Sequence, residues 1–233
     1  MKKVGKKICI YTIVMVLFSI LVMVIYGAFF KIDPIKLAKA NASEKGNCYF
    51  VDTTNENATI KVSSGTRENP YSLDGIHNDT KPFTLVIFKT TLNGITEPSY
   101  VATIDNTKYE GVLELNPIDN TYVCDLGVQT YNTSKIDITI KVNEYEFTFA
   151  PTNLSATFGI TFEEALDLGL KEMYDVVSNL TEGNKFNGET YVKIISDPAS
   201  NLNMYYYYVA VVDNAGNIYS VVLDTASGKK LSK

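Results

Sequence analysis

The sequence contains no tryptophan, one histidine and three cysteines among its 233 residues. A lone histidine leaves little room for imidazole-based catalysis or a multi-histidine metal site. There is no C-x-x-C pair, no Walker loop, no G-x-S-x-G elbow and no H-E-x-x-H helix. Thiol redox, phosphate-loop, serine-hydrolase and zinc-protease chemistries therefore have no motif to rest on, and the expectation is a non-enzyme with no cofactor and no metal. Positive charge is also short, with 21 Lys and Arg against 26 Asp and Glu and a net charge of −5. An acidic chain of this kind is repelled by phosphate backbones, which excludes nucleic acid as a partner. Hydrophobic residues make up 45% of the chain, enough for a folded core.

The run from Ile8 to Phe30 has no charged residue, and at about 1.5 Å per residue it is long enough to cross a hydrocarbon layer of about 30 Å. It predicts a transmembrane signal-anchor helix over 8–30 with the lipid bilayer as its partner. Lys2, Lys3, Lys6 and Lys7 precede it, so residues 1–7 would form a cytoplasmic tail and the body would be extracellular. The expected location is the cell membrane, single-pass. Residues 31–47 are polar and contain Pro34 and Gly46, the composition of a juxtamembrane stalk, with a short amphipathic turn at Ile35 and Leu37.

From Cys48 to Asn153 the pattern changes to short β-branched and aromatic runs broken by Asn, Asp, Gly and Pro. Strands are predicted at 58–63, 83–91, 100–104, 111–115, 122–126, 136–142 and 145–150, and a set of this kind suggests a β-sandwich-like domain over 48–153. In one of them Ile136, Ile138, Ile140 and Val142 alternate with Asp137, Thr139 and Lys141, which buries one face and wets the other.

Residues 154–233 read as a small α+β domain. Thr161 and Glu164 form a candidate capping box, and an apolar stripe from Phe162 to Leu180 predicts one helix packed on a sheet, closed by Gly183. Gly169 in mid-helix would permit close packing. Strands at 190–195, 204–212 and 217–223 complete an antiparallel meander, with Asp213-Asn214-Ala215-Gly216 as a hairpin turn.

The T-x-E-E-A helix start at Thr161–Ala165, the strand ending in Val211-Val212-Asp213, the strand Tyr219–Leu223 and the run from Asp224 through Gly228 to Leu231 resemble the PepSY domain. That resemblance covers Phe158–Leu231 and implies a non-catalytic module of bacterial envelope and secreted proteins that restrains or positions a peptidase, or serves as an interaction domain. Asp224 would bond the backbone of its own turn, and Gly228 would supply positive φ before Leu231 returns to the sheet.

Four consecutive tyrosines, Tyr205, Tyr206, Tyr207 and Tyr208, place rings on both faces of a strand. They read either as core and sheet residues or as an interaction surface for glycan or peptide. Cys48 and Cys124 are candidates for a disulfide that would contribute on the order of 4 kcal/mol, with two buried thiols as the other reading. His77 falls in a turn-rich segment and is expected to be an exposed loop histidine, and Glu163, Glu164 and Asp167 suit the positive end of a helix. The sequence thus points to a membrane-anchored extracellular interaction or regulatory protein with an envelope protein partner, and alternatively to a surface adhesin that binds glycan through its tyrosines.

Overall fold

The computed structural model describes residues 15–22, 33–130, 135–196 and 204–231, and the chain divides into two units at Asp33 and Pro34. In the first unit, residues 15–22 are helical, a rise of about 12 Å against the roughly 30 Å of a bilayer core. The remainder of the run from Ile8 to Phe30 lies outside the described residues. Among the described residues no helix is long and apolar enough to cross a membrane. This overturns the expected signal-anchor helix, and with it the single-pass topology and the cell-membrane location of an extracellular body.

The predicted stalk is also replaced. Helix α1 (Pro34–Ala40) buries Ile35 and Ala38, and Pro34 takes the first helical position, where a missing N–H is harmless. Asn41 follows, and its side-chain amide donates to the carbonyls of Phe186 and Gly188 at 3.1 Å each. Strand β1 (Ala42–Asp52) then enters the middle of the main sheet.

β1 is flanked on one side by β2 (Ala58–Glu68), then β3 (Thr80–Thr90), β7 (Thr121–Asp125) and β6 (Glu114–Asn116). On its other side lie β13 (Gly188–Ser196), β14 (Tyr205–Asp213) and β15 (Ile218–Asp224), and the short β10 (Thr152–Asn153) completes the nine strands. The β1–β13 pair is parallel and the other pairs are antiparallel. A second sheet has the order β5 (Thr107–Val112), β4 (Ser99–Ile104), β8 (Ile136–Val142), β9 (Tyr145–Phe149).

The second sheet covers one end of the first, but the expected sequence of a sandwich domain and a separate α+β domain is corrected: β13, β14 and β15 continue the same nine-stranded mixed sheet as β1, β2 and β3. Phe50, Ile60, Val62, Val86 and Phe88 of the large sheet share a core with Ile136, Ile138, Ile140, Phe147 and Phe149 of the small one. At the other end the cover is helical. α2 (Phe162–Glu172) and α3 (Tyr174–Asn179) bring Phe162, Leu166, Leu170 and Val177 onto Val192, Tyr207, Val209 and Val221. The predicted single helix breaks at Met173, whose φ of −108° and ψ of 27° leave the helical region. Gly169 does permit close packing, since a Cβ there would stand 2.6 Å from the Val209 side chain. Gly183 does not cap the helix; at φ +56° it turns the small hairpin of β11 (Thr181–Glu182) and β12 (Lys185–Phe186).

Both covers lie on the same face of the large sheet. Lys45 of β1 stands opposite Val192 on one side and Thr66 on the other, and cross-strand partners share a face. Val192 belongs to the helix-covered core, while Thr66, at even spacing along β2, shares its face with Val62 and Ile60 of the sandwich core. The outer face is left to Tyr191, Glu44, Arg67, Lys193 and Lys61.

Candidate functional site

A groove of about 590 Å³ opens on that outer face. It forms because β1 accompanies β13 only as far as the Lys45–Val192 register. β1 has a register shift between Gly46 and Cys48, which bends the strand, and it then pairs with β10 at Phe50 and Val51. Beyond Val192, Lys193–Ser196 keeps β14 on one side and, among the described residues, has no strand on the other. Those four residues form one wall, and Tyr49, Thr59, Lys61 and Ser63 form the other; Leu85, Ile87 and Lys89 extend the lining along β3.

The groove is cationic in an acidic chain. Lys61, Lys89 and Lys193 make no ion pair among the described residues. Lys61 Nζ donates to Ser196 Oγ at 3.3 Å, and Lys193 Nζ lies 5.8 Å from the centroid of the Tyr208 ring. Burial, and then repulsion from Lys89, holds the Lys61 ammonium below the usual lysine pKa. Other charged groups of the lining have partners within the protein. Glu44 Oε2 accepts from Tyr71 at 2.8 Å, Asp119 Oδ1 accepts from the Thr121 hydroxyl at 2.7 Å, and Arg67 is paired with Asp125 at 2.7 Å. The Arg67 guanidinium also lies over Phe83, 4.9 Å from its centroid.

One rim of the groove is held by residues 69–79, which are fastened to the sheet by buried carboxylates. Gly75 N–H donates to Glu189 Oε1 at 2.8 Å, and the Tyr191 hydroxyl donates to the Ser72 carbonyl at 2.7 Å. Glu68 Oε1 accepts from the backbone N–H of Asn78 and from Ser43 Oγ at 2.6 Å, with His77 Nδ1 at 3.3 Å. Glu68 is 1% exposed and Glu189 0%. His77 is therefore a half-buried part of this fastening rather than the exposed loop residue that the sequence predicts. Burial, then the neighbouring Glu44, raises the Tyr71 hydroxyl, and burial followed by Glu189 raises that of Tyr191. Both hydroxyls thus remain protonated donors. Gly75 has φ +78°, and a Cβ there would stand 2.1 Å from the Asp213 carbonyl oxygen, so only glycine lets the segment lie this close to β14. The groove thus presents ammonium groups, hydroxyls and an apolar floor.

The residues singled out from the sequence lie elsewhere or are divided. No disulfide links Cys48 and Cys124. Their strands β1 and β7 are separated by β2 and β3, a spacing of about 14 Å, twice the reach of about 7 Å that a bridge allows. Burial pushes the Cys124 thiol up to about 12, against the effect of the Tyr100 hydroxyl. The four tyrosines do not form one surface. Tyr207 is 1% exposed and its hydroxyl, pushed up to about 12 chiefly by burial, donates to the Ile160 carbonyl at 3.1 Å. Tyr205 packs on Tyr49 with centroids 5.6 Å apart, Tyr206 reaches Met204 Sδ at 3.6 Å, and Tyr208 lies beneath Lys193.

Thr161 and Glu164 form the predicted capping box, with Glu164 N–H donating to Thr161 Oγ1 at 3.2 Å and Thr161 N–H donating to Glu164 Oε2 at 2.7 Å. Asp224 Oδ1 accepts from Ser227 N–H at 2.7 Å, Gly228 has φ +70°, and Leu231 N–H returns to the Val222 carbonyl at 2.9 Å. The lysines of the groove escape sequence reasoning because each is a single cation beside an apolar neighbour on a different strand. The signal available was the alternation Ile60-Lys61-Val62, Phe88-Lys89 and Val192-Lys193-Ile194.

No family model, curated protein or solved structure matches the chain.

Proposed function

We propose that this protein is a non-catalytic interaction module that holds a segment of a partner protein in the outer groove of its large sheet. The observation that carries this reading is the groove itself: a concavity with a strand wall that, among the described residues, is open on one side, and three lysines that make no ion pair among those residues. The PepSY resemblance of Phe158–Leu231 supports the same class of function and makes a peptidase the first kind of partner to consider. A protein partner is favoured over glycan because the tyrosines on which a glycan platform would depend are divided, Tyr207 in the core, Tyr205 packed on Tyr49 and Tyr208 beneath Lys193.

The test is selection of displayed random peptides on the wild-type protein and on Ser63→Trp, which fills the groove without changing its charge. Matching circular dichroism and melting curves establish that the variant folds. Peptides retained by the wild type and lost from the variant support the reading. No enrichment, or equal retention by both proteins, overturns it.

A further inference from the structure

We infer that the segment bound in this groove is an extended acidic peptide that adds as a strand along Lys193–Ser196 and sets its carboxylates against Lys61, Lys89 and Lys193. This rests on the groove being a protein-binding site and names what binds there. Two independent features of the groove carry it.

The first is charge. Lys61 and Lys89 of the neighbouring strands β2 and β3 and Lys193 of the distant β13 converge on one concavity, in a protein whose net charge is −5. Glu44 and Asp119, the acids in the same lining, are engaged by Tyr71 and Thr121. Mutually repelling ammonium groups in a half-buried groove are stabilised by an incoming anion, and the lowered Lys61 pKa reflects burial together with that repulsion.

The second is backbone. Among the described residues Lys193–Ser196 pairs with a strand on one side only, β14, so its other row of N–H and C=O groups faces the groove. A strand laid along that row gains main-chain hydrogen bonds, and its alternate side chains, about 6.8 Å apart, fall on one face. With the acids on the face that carries the lysines, the intervening side chains point to the opposite face, where Ile194 supplies apolar surface, so the fitting pattern alternates acidic with apolar residues.

The probe is a short labelled peptide alternating Glu and Val, with binding followed by fluorescence anisotropy on the full chain. Two controls share its length: a Lys and Val peptide, and the Glu and Val peptide with alternate backbone amides N-methylated. The Glu and Val peptide should bind and weaken on the order of tenfold as salt is raised, and the two controls should not bind. Lys61→Ala with Lys89→Ala should weaken binding by about tenfold. Lys61→Glu with Lys89→Glu should lose the acidic peptide and acquire the Lys and Val peptide, a gain that a misfolded variant would not show. Equal binding of acidic and basic peptides, undiminished binding of the N-methylated peptide, or full competition by inorganic polyphosphate would overturn the inference. Groove-dependent peptides selected without acidic enrichment would leave the binding-module reading standing and remove this one.

Discussion

The two ends of the nine-stranded sheet are covered on the same face by different materials. Over β1, β2 and β3 the cover is another sheet, and the space is filled by aromatic rings: Phe88 lies 5.8 Å from Phe147 and 6.2 Å from Phe149. Over β13, β14 and β15 the cover is α2, and Gly169 lets its backbone approach Val209. Packed sheets stand about 10 Å apart and need large side chains between them, whereas a helix carrying glycine at the contact needs less filling. β1 belongs to both ends. It carries one register shift between Ala42 and Glu44 and another between Gly46 and Cys48, at the place where its neighbour changes from β13 to β10. The change of cover on one face and the opening of the groove on the other therefore meet at the same strand.

The strongest way to break this comparison is to empty each core in turn. Phe88→Ala should destabilise the protein by about 3–5 kcal/mol and Leu166→Ala by about 2–5 kcal/mol, since both residues are at most 2% exposed. If β1 couples the two ends, each variant lowers the midpoint of one shared transition in urea, followed by circular dichroism. Two separated transitions would show that the ends unfold independently.

A sharper cut falls at the joint. A Cβ at Gly65 would stand 1.9 Å from the Lys45 carbonyl oxygen, a backbone atom on the neighbouring strand. Gly65→Ala should cost about 1–3 kcal/mol through overpacking. It should also raise amide exchange in β1 and β2 more than in β15. Uniform exchange changes across the sheet would argue against a local joint.

The helix-covered end can be weakened alone at the start of α2. Thr161→Ala removes the acceptor of the Glu164 N–H and should cost about 1 kcal/mol. Thr161→Ser, which retains the hydroxyl, should recover most of that loss in the same melting measurement.

The parts of this molecule that are legible in the sequence are those whose cause is local. The capping box, the alternation of Ile136 to Val142 and the Asp213 turn each follow from residues within a few positions of one another. β1 is illegible because Ser43, Glu44 and Lys45 read as a polar linker, and the groups that satisfy Ser43 and Glu44 come from Glu68 and Tyr71. The long apolar run before Pro34 invites a membrane span by length alone, and of that run the described residues are 15–22, too short a helix to cross. The groove is illegible for a related reason: a lone lysine in a strand ordinarily marks a solvated face, and only the topology brings these three together.

Acid separates the two ends most finely, because each has an aspartate fastening a turn. At the sandwich end Asp52 accepts from Thr54 N–H and Oγ1 through Oδ1 and from Ala150 N–H through Oδ2. Burial opposes its ionisation, but those three hydrogen bonds outweigh it and its pKa lies below the usual value. At the helix end Asp224 is lowered first by the Ser227 hydroxyl and then by the Ser227 N–H, both on Oδ1. A carboxyl whose pKa is depressed on folding adds stability above its unfolded value of about 3.9, and that stability fades as the pH falls toward the folded value. Asp52→Asn and Asp224→Asn should therefore each flatten the loss of stability below about pH 4. Their effects at neutral pH should differ. An amide keeps one acceptor oxygen, which serves both Ser227 donors of Asp224, whereas at Asp52 it leaves either the Thr54 or the Ala150 donor without a partner, at about 1 kcal/mol. Equal losses for the two variants at pH 7 would mean that the second oxygen of Asp52 contributes nothing, and that both ends are fastened alike.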